Sequence, residues 1–173
     1  GWGVGAATAS LARALRDAGH EVHLLIDDLP HLRERGGLEF PGIHIHILEP
    51  ADFAAALDQF PCECTRRPLV VHRRLLDLHA RLRFDAIEFN DFFADAYFAL
   101  EARRTRGQYP DAVFAIHLHS PILLLRHLNE QHDFDLDIAL ITHMEAACIR
   151  DADLLISPSR SMLLTGTDSH VAG

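Results

Sequence analysis

The chain has 173 residues, 49% of them hydrophobic, and a formal net charge of −9. That length suggests one domain with enough apolar material for a real core, and acidic residues spread along the chain exclude the clustered basic face of a nucleic-acid binder. All 16 basic residues are arginine, which removes Schiff-base chemistry and a P-loop lysine.

Three cysteines in no disulfide-like array fit a reducing, cytoplasmic setting. Cys62-Glu63-Cys64 is too closely spaced for a zinc knuckle and reads as plain thiols. No apolar run approaches the roughly 18 residues that span a bilayer, and no signal peptide is visible at the N-terminus.

Gly1–Gly5 (Gly-Trp-Gly-Val-Gly) reads as a glycine loop leading into a helix. Leu11, Leu15 and the intervening alanines form the helix's apolar face, and Gly19 stops it. The chain opens on this loop without Met, so it reads as a piece of something longer, with the strand expected before Gly1 missing. His20–Ile26 reads as a strand and 27–41 as a polar loop. Ile43–Ile47 alternates strictly, which predicts a short strand with one apolar face. His44 and His46 share the other face; with no third ligand evident nearby, they read as a half-exposed strand face, and no metal site is expected.

Ala51–Phe60 reads as a short helix ended by Pro61. Pro68–Arg83 reads as a stronger one, with Pro68 in its first turn. Phe84–Phe89 is the next predicted strand, and Asp91 is placed to cap a helix over Phe92–Arg106, which stops at Gly107. After a turn at Tyr109-Pro110-Asp111, Val113–Leu118 is an apolar strand that runs into His119-Ser120-Pro121. Helices over Pro121–His132 and Asp137–Ala152 follow, then a strand over Asp153–Ile156 that leads into Ser157-Pro158-Ser159-Arg160. Strands alternating with helices predict an α/β domain with a mainly parallel sheet.

Ligands of such sheets bind outside the carboxyl ends of the strands. The candidates there are Glu88, Asn90 and Asp91 at one strand end, His117, His119 and Ser120 at the next, and Ser157, Ser159 and Arg160 at the third. Because His117 alternates with His119, only one of them is expected to face a cleft, with the other packed in the core. A Ser120–His119–Asp91 triad can be assembled on paper, but no Gly-x-Ser-x-Gly elbow accompanies it. The glycines at 1–5 open a helix N-terminus, where backbone amides and the helix dipole favour a phosphate.

Gly3-Val4-Gly5, a helix and then Ala18-Gly19-His20-Glu21-Val22 resemble the Gly-Gly-x-Gly-Thr…Arg-Gly-His-Glu-Val opening of family-four glycosyltransferases of the GT-B fold. Trp2 stands where that family has its first glycine, and Ala6 where it has Thr or Ser. Asp85–Asp91 with Tyr97–Leu100, Leu118–Pro121, and Glu145 through Ser157-Pro158-Ser159-Arg160 resemble the segments that follow in its N-terminal domain.

The resemblance implies a Rossmann-like domain over 1–162, with helices on both faces and its first strand missing, and a tail of uncertain assignment over 163–173. This would be the acceptor-side, N-terminal half of a retaining enzyme that transfers a sugar from a nucleotide-diphosphate sugar. It puts His119 at the transferred sugar as the catalytic residue and Gly3 and Gly5 at the donor phosphates. Glu88, Asn90 and Asp91 would line the acceptor side, with Ser120, Ser157 and Arg160 as further candidates. The nucleotide sugar is substrate, and neither cofactor nor metal is implied. The implied partners are a sugar or small-molecule acceptor and a C-terminal donor domain outside this chain, with peripheral membrane contact in the parent and no nucleic acid. The isolated chain is expected to be inactive.

Ser157–Asp168 also resembles the sulfatase signature Cys-x-Pro-Ser-Arg-x-x-x-Leu-Thr-Gly, with Ile156 in place of the nucleophile. The alternatives to a transferase are therefore a non-catalytic nucleotide- or sugar-binding domain of the same fold and a sulfatase-like hydrolase.

Overall fold

Gly19 takes a left-handed φ of +93°, and the chain reverses there between its first helix and first strand. This is a computed structural model, and it describes residues 2–28, 40–57, 62–131, 133 and 135–160. It divides into two compact units, Gly1–Ala54 and Ala55–Gly173, and each is described by itself.

In the first unit, helix α1 (Trp2–Asp17) is followed by the parallel strands β1 (Val22–Asp27) and β2 (Ile43–Leu48). The expected glycine loop is a correction: helix α1 already begins at Trp2, so Gly3 and Gly5 lie in its opening turns. Gly19 N–H donates to Arg16 O at 2.9 Å and His20 N–H to Leu15 O at 3.1 Å, closing the orphan carbonyls of the helix end. The core is Ala12, Val22 and Ile43, with Leu24 and Phe40 packed against it. The helix therefore buries the face centred on Ala12, while Leu15 is exposed. At Gly42 (φ +75°) a Cβ would meet the Arg16 side chain at 3.0 Å, and Arg16 itself donates to Pro41 O at 2.7 Å. Helix α2 (Pro50–Ala56) follows β2; residues 58–60 of the longer helix expected there lie outside the described residues.

The second unit is built on a parallel sheet of order β3 (Ala86–Asn90), β4 (Val113–His117), β5 (Leu154–Ile156). Its helices are α3 (Glu63–Leu82), α4 (Tyr97–Arg106), α5 (Ile122–Leu128) and α6 (Leu136–Asp151). Phe114, Ala115 and Ile116 are all buried. Successive strand residues point to opposite faces, so β4 is covered on both, as a central parallel strand should be. The mixed α/β architecture with parallel sheets flanked by helices is the predicted fold class and is consistent with a Rossmann-like domain.

Two predicted boundaries are corrected. Helix α3 starts five residues before Pro68, which sits inside it. Proline removes one i→i−4 bond, and this helix tolerates that loss at a fully buried position. The helix expected over Phe92–Arg106 is a 3₁₀ turn at Phe92–Ala94 and then α4. The break falls at Phe93 and Ala94, whose φ values of 60° and 53° are left-handed.

Cys62 and Cys64 are corrected as well: their sulfurs are joined in a disulfide at the start of α3. The close spacing that argues against a zinc knuckle is what brings the two side chains together.

Beneath the sheet, Tyr109 is fully buried, with its ring edge-on to Phe114 at 5.4 Å and tilted on His79 at 5.1 Å. Its hydroxyl lies 3.0 Å from His72 Nδ1. Burial, with Arg106 and Arg73 nearby, lowers the His72 pKa, and the neutral ring keeps this pair bonded. Tyr109→Phe leaves a buried ring nitrogen without that partner and should destabilise the fold by about 1–3 kcal/mol, read as a shift in the urea midpoint at unchanged m-value.

Candidate functional site

Because β3, β4 and β5 are parallel, their carboxyl ends share one edge, and the segments leaving that edge carry most of the predicted site residues. Asp91 N–H donates to His117 O at 3.0 Å, and Leu118 N–H to Ile156 O at 2.8 Å, which extends the ladder beyond the last paired residues.

Asp91 is the centre of this edge. It is 1% exposed, and its Oδ2 accepts from His119 N–H at 2.9 Å and Ser120 N–H at 3.0 Å. The expected helix cap is thereby corrected, since Asp91 makes no side-chain cap bond to the turn that follows it. The carboxylate instead ties the end of β3 to the loop after β4. Burial raises its pKa, and the two backbone amides act against that rise. Its Oδ1 is buried without a partner among the described residues.

Glu145, from the middle of α6, lies behind the same turn and is fully buried. Its Oε2 accepts from Ile122 N–H at 2.8 Å, fixing the start of α5 immediately after Pro121. Burial pushes its pKa up to about 8, with the Asp91 carboxylate adding to the rise and the Ile122 and Phe93 amides opposing it. The sequence reading noted Glu145 only as the start of a matching segment. The missed signal is its position: it falls on the buried helical face of Ile141, Met144 and Cys148, where a lone carboxylate needs a reason.

His117 and His119 correct a second expectation. Residues two apart on an extended chain share a face, so both rings emerge together, stacked with centroids 4.4 Å apart. It is Leu118 between them that is fully buried. His117 Nδ1 lies 3.0 Å from Glu88 Oε1, a pairing set by the register that aligns Asn90 with His117. Burial, and then the neighbouring His117, lower the His119 pKa, so a neutral imidazole is the resting form of a half-buried ring. Glu88 is exposed, and Asn90 is half-buried on the same strand face.

No Ser-His-Asp triad forms. Asp91 binds backbone amides rather than an imidazole, and Ser120 Oγ donates to His119 O. At the third strand end, Ser157 Oγ donates to Ser159 O at 2.8 Å, and Arg160 is exposed. Residues 161–173, which include most of the sulfatase-like stretch and the tail, lie outside the described residues. Gly3 and Gly5 belong to the first unit; Gly5 is exposed, and a Cβ there would meet nothing within 4 Å.

Two residues at the edge of the site were not singled out from sequence. The left-handed backbone of Phe93 and Ala94 turns the Phe92 and Phe93 rings outward, 4.0 Å apart and 36% and 38% exposed. Ala94 is buried beneath them, with Cys148 Sγ 3.9 Å from its carbonyl.

Among the described residues, two groups have the donor types and spacing to hold a metal ion: Glu21, His23 and His44, and Cys62, Cys64 and Asp137. In the second, the sulfurs are joined to each other and Cys62 Sγ lies 3.2 Å from Asp137 Oδ1. No described helix is long and apolar enough to cross a membrane.

Parallel sheets flanked by helices, with imidazole, hydroxyl and carboxyl groups gathered at one carboxyl edge, define a domain of the α/β class. The sequence profile of the glycosyl transferase 4-like domain matches residues 3–165, nearly the whole chain, and the chain belongs to that glycosyltransferase family. That match runs through most of the stretch that resembles a sulfatase signature. Comparison with curated proteins and with solved structures finds no match.

A carboxyl whose folded-state pKa is raised stabilises the fold fully below its unfolded pKa and loses that contribution as pH rises through the folded value. For Glu145 the window runs from about 4.5 to about 8. The thermal midpoint should therefore fall between about pH 6 and about pH 9, and Glu145→Gln should flatten that fall; calorimetry of both proteins at the two pH values checks it.

Proposed function

We propose that this chain is the acceptor-side, N-terminal domain of a retaining GT-B glycosyltransferase, which transfers a sugar from a nucleotide-diphosphate sugar to a sugar or small-molecule acceptor. The observation that carries this reading is the Asp91-held turn: it fixes His119 at the carboxyl edge of the central strand, where α/β sheets bind ligands.

His119 is assigned to the transferred sugar. A neutral imidazole hydrogen-bonds a sugar hydroxyl, and because its loop is already tied down, little reorganisation accompanies the reaction. Glu88 and Asn90 are assigned to the acceptor, and Phe92 and Phe93 give it apolar ring faces to rest on. Asp91 is spent on backbone amides, so its role is positioning rather than contact. Ser120, Ser157 and Arg160 are assigned to the rim.

Gly3 and Gly5, in the other unit, are assigned to the donor phosphates. Glycine in a helix costs about 1 kcal/mol relative to alanine, and at Gly5 no packing among the described residues calls for it. Backbone amides at a helix N-terminus favour an oxyanion.

The reading includes a second, donor-binding domain outside this chain, no resident cofactor, and a cytoplasmic location where nucleotide sugars are supplied. Peripheral membrane contact of the whole protein belongs to the same reading. The Cys62–Cys64 bond is compatible with the cytoplasm as a labile pair, since so short a loop gains little from chain entropy.

The test is a panel of nucleotide-diphosphate sugars with the full gene product, scored first by thermal stabilisation and then by sugar transfer. One donor should stabilise and react, and His119→Ala should lower kcat by about 10²-fold or more while leaving the thermal midpoint of the unliganded protein near its original value. Transfer at the original rate in the His119→Ala protein would remove His119 from the mechanism. Stabilisation without transfer to any acceptor would favour a non-catalytic sugar- or nucleotide-binding domain.

A further inference from the structure

We infer that Glu21, His23 and His44 form a divalent-cation site of the zinc class, with His46 holding the His23 ring in place. The site lies wholly in the first unit and does not depend on the glycosyl-transfer reading.

The sheet register builds it. Strands β1 and β2 run parallel with His23 opposite His44, and aligned residues of parallel strands point to the same face. Glu21 precedes His23 by two and joins that face, as does His46, two beyond His44. The opposite face, with Val22 and Ile43, packs on α1. Local sequence offers only the pair His44 and His46; the other two groups arrive through strand pairing.

The distances suit a small, borderline-soft cation. Glu21 Oε1 lies 3.2 Å from His23 Nε2 and 3.7 Å from His44 Nε2, and one ligand atom from each of the three falls within 4.8 Å of the others. With Zn–N and Zn–O bonds of about 2.0–2.1 Å, the edge of a tetrahedron is about 3.3 Å. Both Glu21 distances lie within half an ångström of that edge. Two imidazoles and one carboxylate leave a fourth position for water or a ligand, the composition of an open zinc site.

The outer partner is present too. Metal-bound histidines nearly always donate their other ring N–H to an acceptor, which sets the tautomer. His23 Nδ1 lies 2.9 Å from His46 Nε2, with the two rings nearly coplanar in orientation at 10°. With the proton on His23 Nδ1 and donated to His46, the Nε2 lone pair of His23 is directed to the ion beside Glu21. Any proton on His23 Nε2 or His44 Nε2 leaves for solvent as the ion binds.

The test uses the full chain, stripped by a chelator and titrated with zinc chloride by calorimetry, with cobalt(II) absorption reporting coordination geometry. One ion per chain should bind, with a tetrahedral cobalt spectrum. His44→Ala, at a 59% exposed side chain that the fold does not rely on, should abolish that binding. His46→Ala should weaken it about 10–100-fold, and the Cys62→Ser/Cys64→Ser double variant should leave it unchanged. Circular dichroism confirms that each variant is folded. No stoichiometric binding by the original chain, binding that survives His44→Ala, or binding lost in the cysteine double variant would each overturn the assignment.

Discussion

A single buried carboxylate sets the geometry of the strand ends in the second unit. Asp91 accepts from two successive amides, those of His119 and Ser120. Its own N–H is bonded to the carbonyl of His117. The end of β3 and the loop beyond β4 are thus clasped from both sides. Hydrogen bonds to a charged group contribute about 1.5–3 kcal/mol each, enough to offset part of the cost of removing the carboxylate from water. Burial raises the Asp91 pKa in spite of those bonds. The arrangement is therefore a constraint on shape rather than a reserve of stability.

The neighbours of Asp91 follow from that constraint. Once its side chain is directed to the β4 loop, it cannot cap a helix at Phe92. The chain instead passes through two left-handed residues, Phe93 and Ala94, a conformation that costs of order 1 kcal/mol or more at each non-glycine residue. Ala94 fits because it is buried and small. Glu145 then anchors the start of α5 through Ile122 N–H, so the loop containing His119 and Ser120 is fixed at both ends by buried carboxyl groups from β3 and α6. A half-buried neutral imidazole held in this way is pre-organised.

Much of the fold was legible in sequence. The apolar run at Val113–Leu118 and the strict alternation at Ile43–Ile47 gave two strands with near-correct bounds, and Gly19 marked its helix end because no other residue takes φ +93° so readily. What stayed hidden was non-local or locally ambiguous. Asn90-Asp91 before a hydrophobic pair is the same pattern whether the aspartate caps a helix or reaches across to another strand end. Pro68 reads as a first-turn residue until packing extends the helix beyond it. Glu145 interrupts an apolar helical face, a mark that is visible in sequence but names no partner. Glu21 and His23 join His44 only through the register of two strands well apart in sequence, which no local pattern encodes.

Amide hydrogen exchange of the original chain and of Asp91→Ala, resolved residue by residue by NMR, measures the central constraint directly. The account predicts that the His119 and Ser120 amides exchange slowly in the original chain and become fast in the variant, while Ile116, in the body of β4, keeps its protection. Equal protection of His119 and Ser120 in both proteins would contradict it, because their amides would then be held by something other than Asp91.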